Sequence, residues 1–204
     1  MRREIIFDVE TKKLFSDIEG TDPGDLGVSI VSVYRRTIDD DLREIEGQMQ
    51  SFWEKDFAKM WPIFQEADRI IGFNTIGFDI PVLTPYTNLP LDKLPHFDIM
   101  FKLKEKFGRR ISLDAIVKET LDTDKRDVGI NAVYYWQNGD PKSLEKLKIY
   151  CEDDVRLTKE LYDFAIKNGY LLFKDKWNTL QKVELDFSYP PKDPSEQIGL
   201  FNNG

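Results

Sequence analysis

The feature that most constrains the fold is a strand near the amino terminus that ends in two carboxylates. Residues 4–9 (EIIFDV) are mostly apolar, which predicts a largely buried strand. Asp8 and Glu10 stand two positions apart, so both side chains point to the same face of the sheet. Two carboxylates held together repel each other unless a cation lies between them. We therefore expect a cation site at the end of this strand; the alternative is a solvated strand end.

The rest of the chain alternates predicted strands and helices. Residues 26–34 predict a second strand, which the turn-rich loop 17–25 joins to the first in an antiparallel hairpin. A short edge strand is expected over 42–46 and a returning strand over 69–73. Helices are predicted from Ser51, which would cap the first of them, and over residues 99–106, 112–121 and 143–167.

The carboxyl-terminal part changes in character. Residues 170–187 contain short strand-like runs, whereas the chain from Ser188 onward is polar and rich in proline. A length of 204 residues is sufficient for one domain with a substantial core. We therefore expect a domain over residues 1–187 and a disordered tail over residues 188–204.

Composition limits the location of the protein and its metal chemistry. No window approaches the roughly 18 consecutive apolar residues of a membrane helix. Asp8 and Glu10 stand where a signal peptide would be apolar, so a cytoplasmic protein is expected. One cysteine, Cys151, and one histidine, His96, cannot form a zinc site of the Cys/His type. Any metal is therefore expected to be held by oxygen.

The net charge of -8 does not favour a nucleic-acid partner, because phosphates are bound chiefly by lysine and arginine. A carboxylate site adds negative charge that bound cations would offset. The basic runs over 102–110 and 142–148 could supply positive patches, although each run taken alone is typical of a solvated helix face.

Two further segments carry acids. GFNTIGFDIPVL (72–83) places Asp79 at a predicted helix start between residues that favour burial, although acids are common in first helical turns. YCEDDVRLT (150–158) places Tyr150 and Asp154 four positions apart, one above the other on one helix face. Asp153 points about 100° away. Each pattern alone is also compatible with a structural role.

In this order, FDVET, GFNTIGFDIPVL and YCEDDVRLT resemble the three exonuclease motifs of the DEDD superfamily, in its tyrosine subgroup. The middle motif is similar to that of the proofreading domain of family B DNA polymerases and its small standalone relatives. The histidine subgroup is excluded because Ile149 stands at its histidine position. The resemblance covers residues 4–173 and implies a ribonuclease H-like α/β fold with a five-stranded mixed central sheet flanked by helices.

The resemblance also implies roles for individual residues. Asp8, Glu10, Asp79 and Asp154 match the four metal-binding carboxylates, and Tyr150 matches the catalytic tyrosine. The implied cofactors are two divalent cations, Mg²⁺ or Mn²⁺, since both prefer oxygen ligands. Asp8 would bridge both ions, Glu10 and Asp154 would hold the ion that activates water, and Asp79 would act through coordinated water.

Further positions match substrate contacts. Thr11 and Asn74 match residues that contact the terminal nucleotide or line the single-strand groove, and Phe78, with Phe15, could stack on bases. Asp98 resembles a recurring acid at a helix start and ranks fifth among the candidate acids; His96 is expected to be structural or a minor groove contact.

The implied function is removal of nucleotides from the 3′ ends of single-stranded DNA in replication or repair. An RNA-processing exonuclease and a catalytically inactive adaptor remain alternatives. The tail sequence QIGLF resembles the peptide that binds bacterial sliding clamps, which would favour DNA; its alternative is folding back onto the protein's own surface. The expected clamp-binding residues are Gln197, Ile198, Leu200 and Phe201.

Overall fold

The computed structural model describes residues 1–123 and 129–189 of the chain. The strands are β1 (Arg2–Thr11), β2 (Val28–Ile38), β3 (Glu44–Trp53), β4 (Arg69–Gly72), β5 (His96–Asp98), β6 (Leu171–Lys174) and β7 (Leu180–Val183). The helices are α1 (Phe57–Gln65), α2 (Asp79–Leu83), α3 (Ile99–Phe107), α4 (Leu113–Leu121), α5 (Gly129–Asn138) and α6 (Pro141–Asn168). None of the helices described is both long and apolar enough to cross a bilayer.

A five-stranded sheet in the order β3-β2-β1-β4-β5 forms the centre of the domain. β1 is antiparallel to β2 and parallel to β4, and β4 is parallel to β5, so the sheet is mixed. β1 is the middle strand, which buries both of its faces. The expected five-stranded mixed sheet flanked by helices is confirmed.

The two faces of β1 contribute to different parts of the core. Ile5, Phe7 and Val9 pack on the side of α1 and α2. Ile6 packs on the other side, against residues of α4 and α6. Because side chains alternate along a strand, Asp8 and Glu10 continue the row of Ile6 and face α6. Helix α6 packs against β1 and β2 and so covers this face of the sheet.

The segment around β3 differs from the prediction. An edge strand over 42–46 and a helix from Ser51 were expected, whereas β3 pairs with β2 over its whole length, from Glu44 opposite Ile38 to Trp53 opposite Ile30. The Ser51 hydroxyl contacts the Ser32 hydroxyl at 2.9 Å and does not cap a helix. The prediction was wrong because pairing with β2 keeps these residues extended, and the helix begins at Phe57.

The last helix and the segments after it complete the domain. α6 is capped by Asp140 and ends at Gly169, whose φ of 77° lies in the left-handed region. β6 and β7 form a separate two-stranded antiparallel sheet from the predicted strand-like runs. Arg69 donates hydrogen bonds to the carbonyl oxygens of Phe187 and Ser188, at 2.8 and 2.6 Å. The remainder of the predicted tail, including Gln197, Ile198, Leu200 and Phe201, lies outside the described residues.

Candidate active site

Three of the predicted metal-binding acids meet where β1 ends. One carboxylate oxygen each from Asp8, Glu10 and Asp154 lies within 4.8 Å of the other two. Asp8 and Glu10 are half-buried on β1, and Asp154 on α6 is only 5% exposed. Carboxylates are the hard oxygen ligands that Mg²⁺ and Mn²⁺ prefer, so this three-acid cluster could hold a divalent cation.

Tyr150 lies one helical turn before Asp154 and is buried beside the three-acid cluster. Burial raises the pKa of the Tyr150 hydroxyl well above its usual range, and the negative charges of Asp154, Glu10 and Asp8 raise it further. The phenol therefore stays protonated at neutral pH. It can donate a hydrogen bond but cannot act as a general base.

Asp79, the fourth predicted acid, lies beside the cluster and is not one of its three members. It begins α2, is 3% exposed, and accepts a hydrogen bond from the amide of Val9 at 3.1 Å. Burial, then repulsion by Asp98 and Asp154, raises the pKa of Asp79 to about 8. The negative charge of Asp154 contributes to this rise, so a cation bound at the three-acid cluster would favour the ionised form of Asp79.

Asp98, the fifth candidate acid, positions a loop. Its buried carboxylate accepts amide hydrogen bonds from Asn74 and Ile76, both at 2.9 Å, and from Phe101 at 3.0 Å. It thereby caps α3 and holds the start of the turn between β4 and α2. Within that turn Asn74 has a φ of 71°, in the left-handed region that Asn tolerates better than most residues. This turn leads into α2 and thereby positions Asp79, the first residue of that helix.

His96 makes a structural contact, which is one of the two roles expected for it. Its Nε2 atom lies 2.7 Å from the carbonyl oxygen of Leu91. The side chain sits on β5, the strand at the far edge of the sheet, and not among the acids.

The predicted substrate residues lie around the acids. Thr11 is buried, and its hydroxyl donates a hydrogen bond to the carbonyl oxygen of Lys13 at 2.9 Å. Phe78 precedes Asp79, and its ring centroid lies 6.2 Å from that of Phe15, which is 48% exposed. The two rings therefore form a partly exposed apolar surface at the amino-terminal end of α2. The roles of these residues in substrate binding remain predictions.

A buried cysteine beneath the cluster was not predicted as part of the site. The Sγ atom of Cys151 lies 3.8 Å from the Asp8 carboxylate and 3.5 Å from the Asp8 carbonyl oxygen. Burial and the nearby Asp8 and Glu10 raise the pKa of this thiol well above its usual range, so it is neutral. Cys151 directly follows Tyr150 in the sequence, which could have indicated that it lies near the site. A cysteine within a helix is, however, commonly a small apolar core residue.

Together these features define a class of protein. It is an α/β protein in which the middle strand of a mixed sheet ends in carboxylates that face an acid and a tyrosine on a long helix. The sequence matches the RNase_H superfamily over residues 5–166, and the chain belongs to that superfamily. No match is found among curated proteins.

Three solved structures are similar to this chain to different degrees. The chain is similar to the family B DNA polymerase of the hyperthermophilic archaeon Pyrobaculum calidifontis, with a TM-score of 0.57 and 20% identity over 81% of this chain and 25% of the polymerase. It also matches E. coli ExoI in a zinc-bound complex with ssDNA (TM-score 0.47, 14% identity, 82% of this chain and 41% of ExoI). A complex of E. coli Exonuclease I with a dA16 oligonucleotide gives a TM-score of 0.45 and 15% identity, over 82% of this chain and 41% of that one.

This chain thus spans a quarter of the polymerase and about two fifths of the exonuclease. The superfamily match and the likeness to the polymerase establish the ribonuclease H-like fold expected from the sequence.

Proposed function

We propose that this chain is a 3′-5′ exonuclease of the tyrosine subgroup of the DEDD superfamily, which hydrolyses single-stranded DNA with two divalent cations. The observation that carries the proposal is the convergence of Asp8, Glu10 and Asp154, each of which stands in its expected motif. Carboxylates brought this close oppose folding by mutual repulsion unless a cation binds between them. The arrangement is therefore difficult to explain in a protein that binds no metal.

The acids supply the ligands for this chemistry. Two bound divalent cations would provide an acidified water and positive charge next to the phosphate and the leaving oxygen. Asp8, Glu10 and Asp154 are the residues that would hold them. Asp79 accepts a hydrogen bond from the amide of Val9, which stands between Asp8 and Glu10 on β1, and its high pKa in the metal-free protein means that it would release a proton when cations bind.

Tyr150 completes the site as a hydrogen-bond donor. Its hydroxyl stays protonated and lies close enough to Asp154 to form a hydrogen bond. Its hydroxyl oxygen can also accept a hydrogen bond, so in that position it would orient the water that attacks the phosphate. A fixed hydrogen-bonding group in a partly buried site needs little reorganisation during the reaction, which is how such groups favour a transition state.

Single-stranded DNA is proposed as the substrate because of the motifs and because of the surface next to the acids. The Phe15 and Phe78 rings offer an apolar surface on which a base could stack, and every base has a face for stacking. Thr11 and Asn74 flank the acids from β1 and from the turn before α2. A half-buried cluster of acids is also more accessible to a single strand than to a duplex, whose 3′ end must first be unpaired.

The experiment that tests this function follows the degradation of labelled oligonucleotides by the purified chain. DNA and RNA strands of one sequence, labelled at the 5′ or the 3′ end, are incubated with Mg²⁺, Mn²⁺ or a chelator. The expected result is metal-dependent release of mononucleotides from the 3′ end of single-stranded DNA, faster than from a blunt duplex. Shortening from the 5′ end, or equal activity in chelator, would contradict it; preferential loss of RNA would transfer the proposal to RNA processing.

A further inference from the structure

An apolar groove with two stacked tryptophans lies close to the three-acid cluster and has no role in the function proposed above. Its volume is about 700 Å³, and Trp53, Glu54, Lys55, Trp136 and Leu144 line it. This volume falls in the range of pockets that bind small organic groups, roughly 300 to 1,000 Å³. We refer to it as the tryptophan groove.

The tryptophan groove and the acids lie on the same face of the sheet. Ile30 of β2 pairs with Glu10 of β1 on one side and with Trp53 of β3 on the other. Neighbouring strands are about 4.8 Å apart, so the backbones of Glu10 and Trp53 are separated by about 10 Å. Side chains directly opposite each other share a face of the sheet. Stacked nucleotides rise by about 3.4 Å each, so a strand of roughly three nucleotides spans this separation.

The two indoles are held firmly in place. Their ring centroids are 6.4 Å apart and their planes differ by 26°. Both rings pack against the buried cluster that contains Ile30, Leu147 and Tyr150, the tyrosine of the active site. Trp53 and Trp136 nevertheless remain partly exposed, and both line the groove. Aromatic surfaces that are already ordered bind a planar ligand at a small entropic cost.

Positive charge borders the tryptophan groove. The Lys12 ammonium group lies 5.3 Å from the centroid of the Trp136 ring and forms an ion pair with Glu54. Lys12 directly follows Thr11 at the end of β1 and is two residues after Glu10, so the same strand end supplies an acid of the cluster and an ammonium group beside the groove. Lys55 is exposed and contributes a second ammonium group to the lining. Proteins bind single-stranded nucleic acid through aromatic rings that stack on the bases and ammonium groups that attract the phosphates.

We propose that the tryptophan groove binds an unpaired nucleobase of the strand whose phosphodiester is presented to the three-acid cluster. Trp136 and Trp53 stack against the base, and Lys12 and Lys55 attract the neighbouring phosphates. The identification of the ligand as nucleic acid rests on the proposed exonuclease function, because that function places a strand about 10 Å from the groove. The site does not read sequence, since stacking is available to every base.

Binding is measured with the full chain in chelator, which prevents hydrolysis, and a fluorescently labelled single-stranded oligothymidylate. Trp136→Ala is expected to raise the Kd about tenfold, the loss that one stacked base on an aromatic ring accounts for. Trp136→Phe retains a ring and is expected to keep most of the affinity. Thermal unfolding of each variant controls for loss of structure.

Trp177 offers a matched control. It is 74% exposed in the turn between β6 and β7, and the Lys176 ammonium group lies 4.3 Å from its ring centroid. It is therefore a lysine-flanked tryptophan like Trp136 but lies outside the central sheet. Trp177→Ala is expected to leave the Kd unchanged. Equal Kd values for Trp136→Ala and Trp177→Ala, or no binding by the unmodified protein, would overturn the proposal.

Oligonucleotides with one abasic position test whether a base occupies the tryptophan groove. The abasic position is moved along the strand in a series of oligonucleotides. At one position the unmodified protein is expected to lose affinity, whereas Trp136→Ala is expected to show no further loss at that position. A uniform loss at all positions, the same in both proteins, would mean that the groove holds no base. A different occupant, such as an apolar peptide, would give that uniform result.

The outcome for the groove can be separated from the outcome for the exonuclease. If the unmodified protein binds the oligonucleotide through Trp136 but does not hydrolyse it with Mg²⁺ or Mn²⁺, the groove stands and the proposed function fails. If it hydrolyses the strand and Trp136→Ala binds as tightly as the unmodified protein, the function stands and the groove proposal fails.

Discussion

Tyr150 shows how the surroundings of a residue determine what it can do. A phenol has a reference pKa of about 10, which already makes it a weak base at neutral pH. Burial and the charges of Asp154, Glu10 and Asp8 raise that pKa further. In this site the tyrosine can therefore donate or accept a hydrogen bond but cannot act as a general base.

Tyr150→Phe removes the hydroxyl and keeps the ring. We expect the rate of hydrolysis to fall about 100-fold, the scale of one fixed donor in an active site, while metal affinity stays nearly unchanged. Single-turnover kinetics measure the rate, and calorimetric titration with Mn²⁺ measures the affinity. Lost metal binding would show that Tyr150 supports the ligands and does not orient water.

Asp79 predicts a pH dependence of stability in the metal-free protein. Its pKa is about 8 in the folded chain, against about 3.9 in an unfolded one. Between these values the folded protein holds a proton that the unfolded protein has lost, so rising pH lowers the free energy of unfolding. Asp79→Asn has no carboxyl group at this position and so lacks this pH dependence. Its side-chain oxygen can still accept the hydrogen bond from Val9.

The free energy of unfolding of the unmodified protein should therefore fall relative to that of Asp79→Asn as the pH rises from 5 to 8. The limit is about 1.4 kcal/mol per pH unit for one proton. Urea unfolding of both proteins in chelator at several pH values measures the difference. A constant difference over this range would mean that Asp79 is ionised in the folded, metal-free chain.

Single residues also show what the sequence could and could not predict. Asp8 and Glu10 were predictable because strand geometry places neighbours two positions apart on one face, and Asp154 because its motif lies on a long, regular helix. The roles of Asp98 and Cys151 were not predictable. Asp98 binds amides that are 22 and 24 positions away, and Cys151 contacts Asp8 across 143 positions. Such contacts leave no local pattern.

The turn between β4 and α2 carries a test at the scale of elements. A Cβ atom on Gly72 would lie 2.0 Å from the Cγ2 atom of Thr75, which is itself buried. Gly72→Ala should therefore displace the turn that delivers Asp79. We expect a loss of about 1 to 3 kcal/mol in the free energy of unfolding, as for other overpacked sites, together with lower activity.

The rescue of this variant is specific. Thr75→Ser removes the Cγ2 atom, so Gly72→Ala/Thr75→Ser should regain most of the lost stability and activity. Urea unfolding of the single and double variants measures this, with Thr75→Ser alone as the control. A double variant as unstable as Gly72→Ala would show that the methyl group of Thr75 is not what excludes a side chain at residue 72.

The elements were predicted best where their sequences are regular. The helix predicted over 143–167 is α6, and the prediction for β4 is also confirmed. The boundary between β3 and α1 was misplaced because the spacing of Phe52, Trp53 and Phe57 also fits a helix. Only the pairing of β3 with β2, which joins residues far apart in sequence, decides that Phe52 and Trp53 belong to a strand.

For the molecule as a whole, a buried ionic cluster holds the end of the described chain against the sheet. Glu4 is fully buried, and Arg36 donates to it from Nε at 2.8 Å. Tyr189 donates a hydrogen bond to the same carboxylate and stacks over the Arg69 guanidinium group at 3.5 Å. Tyr189, the last described residue, is thus held against the sheet by this cluster.

The tail itself carries a prediction about a partner. If residues 197–201 bind a bacterial sliding clamp, a chain that ends at Ser195 should lose measurable affinity for the clamp and retain full nuclease activity. Surface plasmon resonance with immobilised clamp measures the affinity. Leu200→Ala/Phe201→Ala should reproduce the loss, whereas the matched Asn202→Ala/Asn203→Ala should not. Equal affinity in all four proteins, or none in the full chain, would remove the clamp as a partner.

The most direct test of the proposed metal-dependent nuclease activity compares two neighbouring aspartates of α6. Asp154 belongs to the three-acid cluster, whereas Asp153 forms an ion pair with Arg156 at 3.2 Å that contributes at most about 1 kcal/mol. With Mg²⁺ or Mn²⁺ and a 5′-labelled single strand, Asp154→Asn should be folded but almost inactive, and Asp153→Asn should retain the full rate. Ordinary degradation by Asp154→Asn, or an equal loss in both variants, would contradict the account.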